Sequence, residues 1–275
     1  MGVSGLYANQ IFGQQFHRDP LGVQLYSVRD AVAKNLEGAL TQLASLGFKN
    51  LEIFGYNGTF FGRSANEFKT ILNNTGLSVI SSHHTAGITK PSKGTLSDGW
   101  GDAITDIKTI GGKYMVCSYL FDDERTPKIY AALPDLLNKS GEATKAAGIQ
   151  FGYHNHDFEF EKYENTLVYD HIITKTNPEL VKMEMDLYWI SKAGYDPVTY
   201  FDKYPGRFPL WHVKDMFAGT KEITEVGNGT INFDRIFAAR EKAGLKYWFV
   251  EQDVSKGNIF ESLKTSQAYL SKKDF

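Results

Sequence analysis

Short apolar, β-branched or aromatic runs alternate with longer amphipathic stretches along most of the chain. The runs fall at 21–26, 49–54, 77–82, 114–118, 149–154, 181–186, 209–213 and 247–251. Helical spacing marks the stretches between them, at about 32–46, 64–75, 98–110, 127–147, 165–176, 197–204, 232–243 and 258–272. In the first of these, Leu36, Leu40, Leu43 and Ala44 share one face. Gly47, Gly76, Gly111, Gly148 and Gly244 follow helical stretches, the place where a left-handed cap favours glycine. Strand-then-helix units imply a parallel sheet with right-handed crossovers. Eight such units at this length predict an α/β fold of the closed (β/α)8 or TIM-barrel kind. An open doubly wound sheet would carry a Gly-rich phosphate turn after its first strand, and Gln24-Leu-Tyr-Ser-Val-Arg29 holds none. The barrel is expected over 20–275 as a single domain, with a short N-terminal arm at 1–19.

Charge excludes some functions. With 30 Lys plus Arg against 32 Asp plus Glu the formal charge is −2. The sequence pI is near 6.4, which argues against a chain built to grip nucleic acid. No run of eighteen apolar residues is present, so no membrane-spanning segment is expected. The one cysteine, Cys117, lies in an apolar run and reads as a buried small hydrophobe. It rules out an intrachain disulfide and a cysteine-rich zinc site. The compartment stays open: cytoplasmic or, if a signal peptide has been removed, periplasmic.

Function in this architecture sits at the C-terminal ends of the strands. There the chain places Glu52, His83-His84, His154-Asn-His156, Glu184-Met-Asp186, His212-Val-Lys214 and Glu251-Gln-Asp253. Residues two apart share a face of a strand. Facing the helices, these groups would lose hydration at a cost of several kcal/mol; facing inward they converge. Two imidazoles and two carboxylates together form a divalent-metal site that admits manganese, cobalt, iron or zinc. Phosphate binding is not evident, and Gly227-Asn-Gly229 reads as a turn more than an anion nest.

At these motifs the chain resembles the xylose isomerase-like TIM-barrel superfamily, in its sugar phosphate isomerase/epimerase branch. The motifs are 23–29 (VQLYSVR), 153–156 (YHNH), 185–186 (MD), 212–215 (HVKD) and 250–253 (VEQD). The resemblance implies one divalent metal ion held from the fifth to eighth strands. Asp186, His212 and Glu251 match the last three ligands, and His154 or His156 stands where many members have glutamate. Asp186 is followed by Leu-Tyr-Trp189, with tryptophan in place of a further ligand, which speaks against the three-zinc site of related endonucleases.

A metal that polarises a carbonyl allows proton abstraction from the next carbon through an enediolate. His156, Glu184, Lys214 and His84 are the candidate acid–base groups; Glu52, His84, Trp189 and Asp253 are expected against the substrate. The expected activity is a metal-dependent sugar isomerase or epimerase. The alternative is a lyase or dehydratase acting on a keto-sugar, inosose or 3-keto-glycoside, chemistry that similar inosose dehydratases and 3-keto-glycoside lyases share. A non-catalytic sugar-binding barrel is a reading of another class. The expected partner is a small carbohydrate, without nucleic acid, and an oligomer is possible.

Overall fold

The computed structural model describes residues 21–273; the arm expected at 1–19 lies outside the described residues. Eight parallel strands close into a barrel: β1 Gly22–Gln24, β2 Asn50–Ile53, β3 Ser78–Thr85, β4 Tyr114–Tyr119, β5 Gln150–His154, β6 Val181–Asp186, β7 Leu210–Val213 and β8 Tyr247–Val250. Each pairs with its sequence neighbours, and β1 pairs with both β2 and β8 to shut the ring. The expected TIM barrel is therefore the fold. Among the described residues no helix is long and apolar enough to cross a membrane.

The helices are α1 Arg29–Lys34, α2 Leu36–Ser45, α3 Ala65–Thr75, α4 Trp100–Thr109, α5 Pro127–Ala146, α6 Val168–Lys175, α7 Leu187–Lys192, α8 Pro197–Lys203, α9 Phe233–Ala238, α10 Arg240–Ala243 and α11 Ile259–Leu270. The stretch read as one helix at 32–46 is two. Asn35 adopts an extended backbone between them, and its side chain accepts from the Gly38 N–H to cap α2. The added helix α7 starts where Asp186 accepts the N–H groups of Tyr188 and Trp189.

The barrel interior has two chemically distinct levels. Ile80, Val116, Leu210 and Phe249 form an apolar plug, flanked by Tyr114 and Tyr247. Towards the C-terminal ends the inward positions turn polar: Gln24, Glu52, Glu184, Asp186, His212 and Lys214 are all buried. Cys117 is buried among apolar neighbours. A bulge sets the phase of β3. Leu51 pairs with Val79 but Glu52 pairs with Ser81, which leaves Ile80 as the extra residue.

The plug demands a glycine on β1. A Cβ on Gly22 would stand 2.5 Å from the Trp248 carbonyl oxygen and 2.6 Å from the Phe249 ring. Gly22→Ala is expected to lower the unfolding free energy by about 1–3 kcal/mol. Gly101→Ala on α4, where an added Cβ meets nothing within 4 Å, is expected to change it by less than ~1 kcal/mol. Urea denaturation of both variants checks this; equal midpoints would contradict it.

Candidate metal centre

His212 stands at the middle of the polar level. Its Nδ1 lies 2.7 Å from Glu251 Oε2 and 3.7 Å from Asp186 Oδ2. Its Nε2 donates to Glu52 Oε2 and lies 3.5 Å from Glu184 Oε2. Glu52 Oε2 also accepts from the Gln24 amide at 2.8 Å. His83 Nε2 sits 2.6 Å from Glu184 Oε2 and 3.0 Å from Glu52 Oε2. Two donor sets result, each with its atoms within 4.8 Å of one another: Glu52, His83, Glu184 and His212 deeper, and His154, Asp186, His212 and Glu251.

These charges are set by one another. Burial opposes ionisation of Glu52, yet His83 and His212 outweigh it and hold the carboxyl well below its usual range. Burial likewise opposes the charge on His83, but Glu52 and Glu184 raise it to about 9. Glu184 goes the other way, raised to about 7 by burial and by the negative charge of Glu52. Glu184, Glu52 and Glu251 raise His212 well above its ordinary value against the cost of burial, and an ion at Nδ1 would displace the proton held there.

Lys214 closes the outer edge. Its ammonium donates to Glu251 Oε2 at 2.7 Å, Asp253 Oδ2 at 3.0 Å and Asp186 Oδ2 at 3.1 Å. Asp186 is fixed from behind. Its Oδ1 caps α7, its N–H donates to Asn155 Oδ1 at 3.0 Å, and Oδ2 is left for the site.

His154 decides whether a metal fits. Its Nδ1 faces the Ser118 carbonyl at 3.4 Å and its Nε2 the carboxylate oxygen Asp186 Oδ2 at 3.3 Å, and both oxygens can only accept. Burial, with His212 nearby, lowers its pKa to about 4, so the ring is neutral. A neutral ring has one N–H for these two acceptors, so one ring nitrogen turns its lone pair to an acceptor oxygen. Two acceptors face each other, and a shared cation resolves the conflict. Ligands about 2.0–2.2 Å from an ion stand roughly 3–3.5 Å apart, the spacing of His154 Nε2 and Asp186 Oδ2. His154, Asp186, His212 and Glu251 thus fit a divalent ion, with Glu52 behind His212 as the carboxylate that fixes its orientation.

The candidate residues do not all meet there. His156 lies beside the ligand set, in a box of Tyr119, Phe158 and Trp189 with ring centroids at 5.0, 5.7 and 5.2 Å. Its backbone N–H donates to the buried carboxylate of Glu159 at 2.7 Å. Burial and the nearby His154 and Lys214 hold its pKa well below the ordinary histidine value. Asp253 and Trp189 border Lys214. Glu184 is fully buried behind His83, whose side chain is 10% exposed.

His84 is a correction. It was expected to face the substrate, but its Nδ1 donates to the Gly94 carbonyl at 2.7 Å and its ring packs on Trp100, in the helix layer. Alternation counted from Ile80 would turn His84 inward; the bulge shifts the phase by one and turns His83 inward instead. His83 was therefore missed, although the pair was visible in the sequence.

A family model described as xylose isomerase-like TIM barrel matches residues 40–271. The chain belongs to that family. An inosose dehydratase of Lacticaseibacillus casei is 29% identical over 173 residues, which cover 55% of this chain and 57% of that protein. The chain thus spans little more than half the length of that relative. The inosose dehydratase of Clostridium beijerinckii is 25% identical over 86% of this chain and 89% of its own length. The crystal structure of a sugar phosphate isomerase/epimerase from Parabacteroides distasonis superposes with a TM-score of 0.81 at 28% identity, covering 93% of this chain and 94% of that one. The family and these relatives indicate an enzyme.

Two outcomes follow for this family member. His212→Ala is expected to weaken divalent-metal binding by at least ~100-fold, read by competition with a chromogenic chelator; wild-type affinity in the variant would contradict the ligand set. Burial lowers His84 to about 4 from 6.5. Between those values the unfolded chain binds a proton that the folded chain does not, so stability falls as pH drops from 6.5 to 4. In His84→Phe that slope is expected to become shallower, by at most one proton. Unfolding free energies across this range check it, and an unchanged slope would contradict it.

Proposed function

We propose that the chain is a divalent-metal-dependent lyase of the dehydratase kind that acts on a cyclic carbohydrate ketone. The reading rests on one observation: two groups of opposite proton status flank Trp189. The neutral imidazole of His156 has its ring centroid 5.2 Å from that of Trp189, and the Lys214 ammonium is 5.5 Å from the Trp189 ring. Elimination needs such a pair, a base at one carbon and an acid at the oxygen leaving the next.

When bound by His154, Asp186, His212 and Glu251, a divalent ion supplies a Lewis acid that polarises the ketone and acidifies the neighbouring C–H. His156 takes that proton. The C–H electrons form the carbon–carbon double bond as the β-oxygen departs with its bonding pair, and Lys214 protonates it. Glu251 and Asp253 hold the ammonium in place. Trp189 offers an apolar face to the C–H surface of the ring. His83 and Glu52 act through His212 by fixing its orientation. Glu184 acts through His83, out of reach of the substrate. The names of the inosose dehydratases support this ending.

A second reading shares the first step and returns the proton, giving an isomerase or epimerase. The name of the Parabacteroides distasonis neighbour favours it. The metal-loaded chain is tested with an inosose in heavy water. Deuterium at the carbon beside the ketone and a product lighter by one water support the dehydratase. Deuterium with unchanged mass supports the isomerase. Neither exchange nor turnover overturns both. Lys214→Met is expected to lose about 10²–10⁴-fold in elimination rate while keeping a larger share of the exchange; an equal loss in both would remove Lys214 from the acid role.

A further inference from the structure

We infer that Arg125 is a positioning residue for His156, whose ring it steadies through the rings of Phe158 and Tyr119. The inference rests on the proposed function for the part His156 plays in the reaction, and on geometry alone for the clamp. His156 lies beyond the end of β5, so no strand pairing fixes it. Its ring nevertheless stands edge-on to that of the candidate ligand His154, at a centroid distance of 4.8 Å. The ring of a histidine base is ordinarily set by the hydrogen bond that its other nitrogen makes. Here Nδ1 is buried and has no hydrogen-bond partner among the described residues. Ring packing is left to set the orientation. Phe158 lies nearly parallel to the imidazole, with 10° between the planes, and Tyr119 meets it edge-on at 80°.

One cation holds both of those rings. The Arg125 guanidinium lies 3.7 Å from the Phe158 centroid and 5.0 Å from that of Tyr119, within reach of cation–π attraction to each. A planar, delocalised guanidinium suits aromatic faces better than an ammonium does. The side chain is itself fixed at two points. Its Nε donates to the Leu120 carbonyl at 2.9 Å, and Nη1 pairs with Asp122 Oδ1 at 2.8 Å. The turn that carries it is anchored by the fully buried Glu124, which accepts the N–H groups of Phe121, Ile88 and Thr89 at 3.0, 2.6 and 3.2 Å. The segment after β4 is thereby tied to the segment after β3. Contact runs from the guanidinium to Phe158 and Tyr119, from these to His156, and from His156 to His154. Without the cation, the two rings lose their common anchor and the imidazole loses its only fixed walls on that side. A misplacement of about 1 Å in a reacting group can cost roughly 100-fold in rate.

The experiment compares the zinc-loaded full chain with three variants. Arg125→Met removes the cation, and Arg125→Gln takes its place if it does not fold. Arg125→Lys keeps a cation there without the planar group. Asp122→Ala removes only the exposed partner of the ion pair. The first readout is the His156 ring resonance in proton–carbon NMR, identified by its loss in His156→Gln, because the neighbouring aromatic rings set its position. The second is turnover of an inosose, resolved into kcat and KM. In Arg125→Met the His156 resonance is expected to shift while that of His84, in the helix layer, stays. There kcat is expected to fall about 10–100-fold, with KM changed by less than about threefold. Arg125→Lys is expected between Arg125→Met and the wild type, and Asp122→Ala with the wild type. An unmoved His156 resonance in Arg125→Met would overturn the inference. So would a loss confined to KM, a loss that Asp122→Ala reproduces, or an Arg125→Lys no better than Arg125→Met. A resonance that shifts as expected, in a chain that never turns over an inosose, removes the reaction proposed above and keeps the clamp.

Discussion

Everything at the barrel mouth depends on His212 using both of its ring nitrogens. Nε2 is committed inward to Glu52, and Nδ1 outward to Glu251 and Asp186. One imidazole thereby joins two layers of buried charge that would be unfavourable apart. Carboxylates buried without partners cost several kcal/mol each. Here Glu52, Glu184, Asp186 and Glu251 are distributed around His83, His212 and Lys214 so that none lacks an opposite charge. The pairing requires strands distant in sequence to end at one height, and that in turn requires a closed barrel whose floor is filled by Ile80, Val116, Leu210 and Phe249.

The outer layer differs from the inner in one respect. The inner contacts are donor to acceptor throughout, whereas the neutral His154 ring has one N–H for two acceptors, the Ser118 carbonyl and the Asp186 carboxylate. That mismatch is why the set at the mouth, more than the deeper one, asks for an added cation. Lys214 touches the same two carboxylate oxygens from the outer side. It keeps them in place, and it also limits how much positive charge the set can accept. The inosose dehydratases and the isomerase/epimerase structure resemble this chain at under 30% identity. A shared fold is compatible with different endings of one proton-abstraction step, and in the proposed function His156 and Lys214 would decide between them.

The barrel was legible because each strand-then-helix unit repeats two different periods, near 2 and near 3.6, with glycine marking many of the joins. The ligand set was legible because it occupies the ends of successive strands, and strand ends are where this architecture collects its polar side chains. His83 was not legible, because a single extra residue at Ile80 inverts the inward phase of β3, and bulges leave no mark in hydrophobic patterning. The choice between His154 and His156 needed the fold too. The two share a parity, but His154 is the last residue of β5 and His156 lies beyond the strand, so His156 sits apart from the candidate ligands in its aromatic box.

The donor set at the mouth fits one divalent ion. Elemental analysis of the purified chain, before chelation and after reconstitution, tests it most directly. The expected result is a single equivalent of a first-row divalent metal, removed by chelator and restored on addition. No metal after reconstitution, or several equivalents per chain, would contradict it.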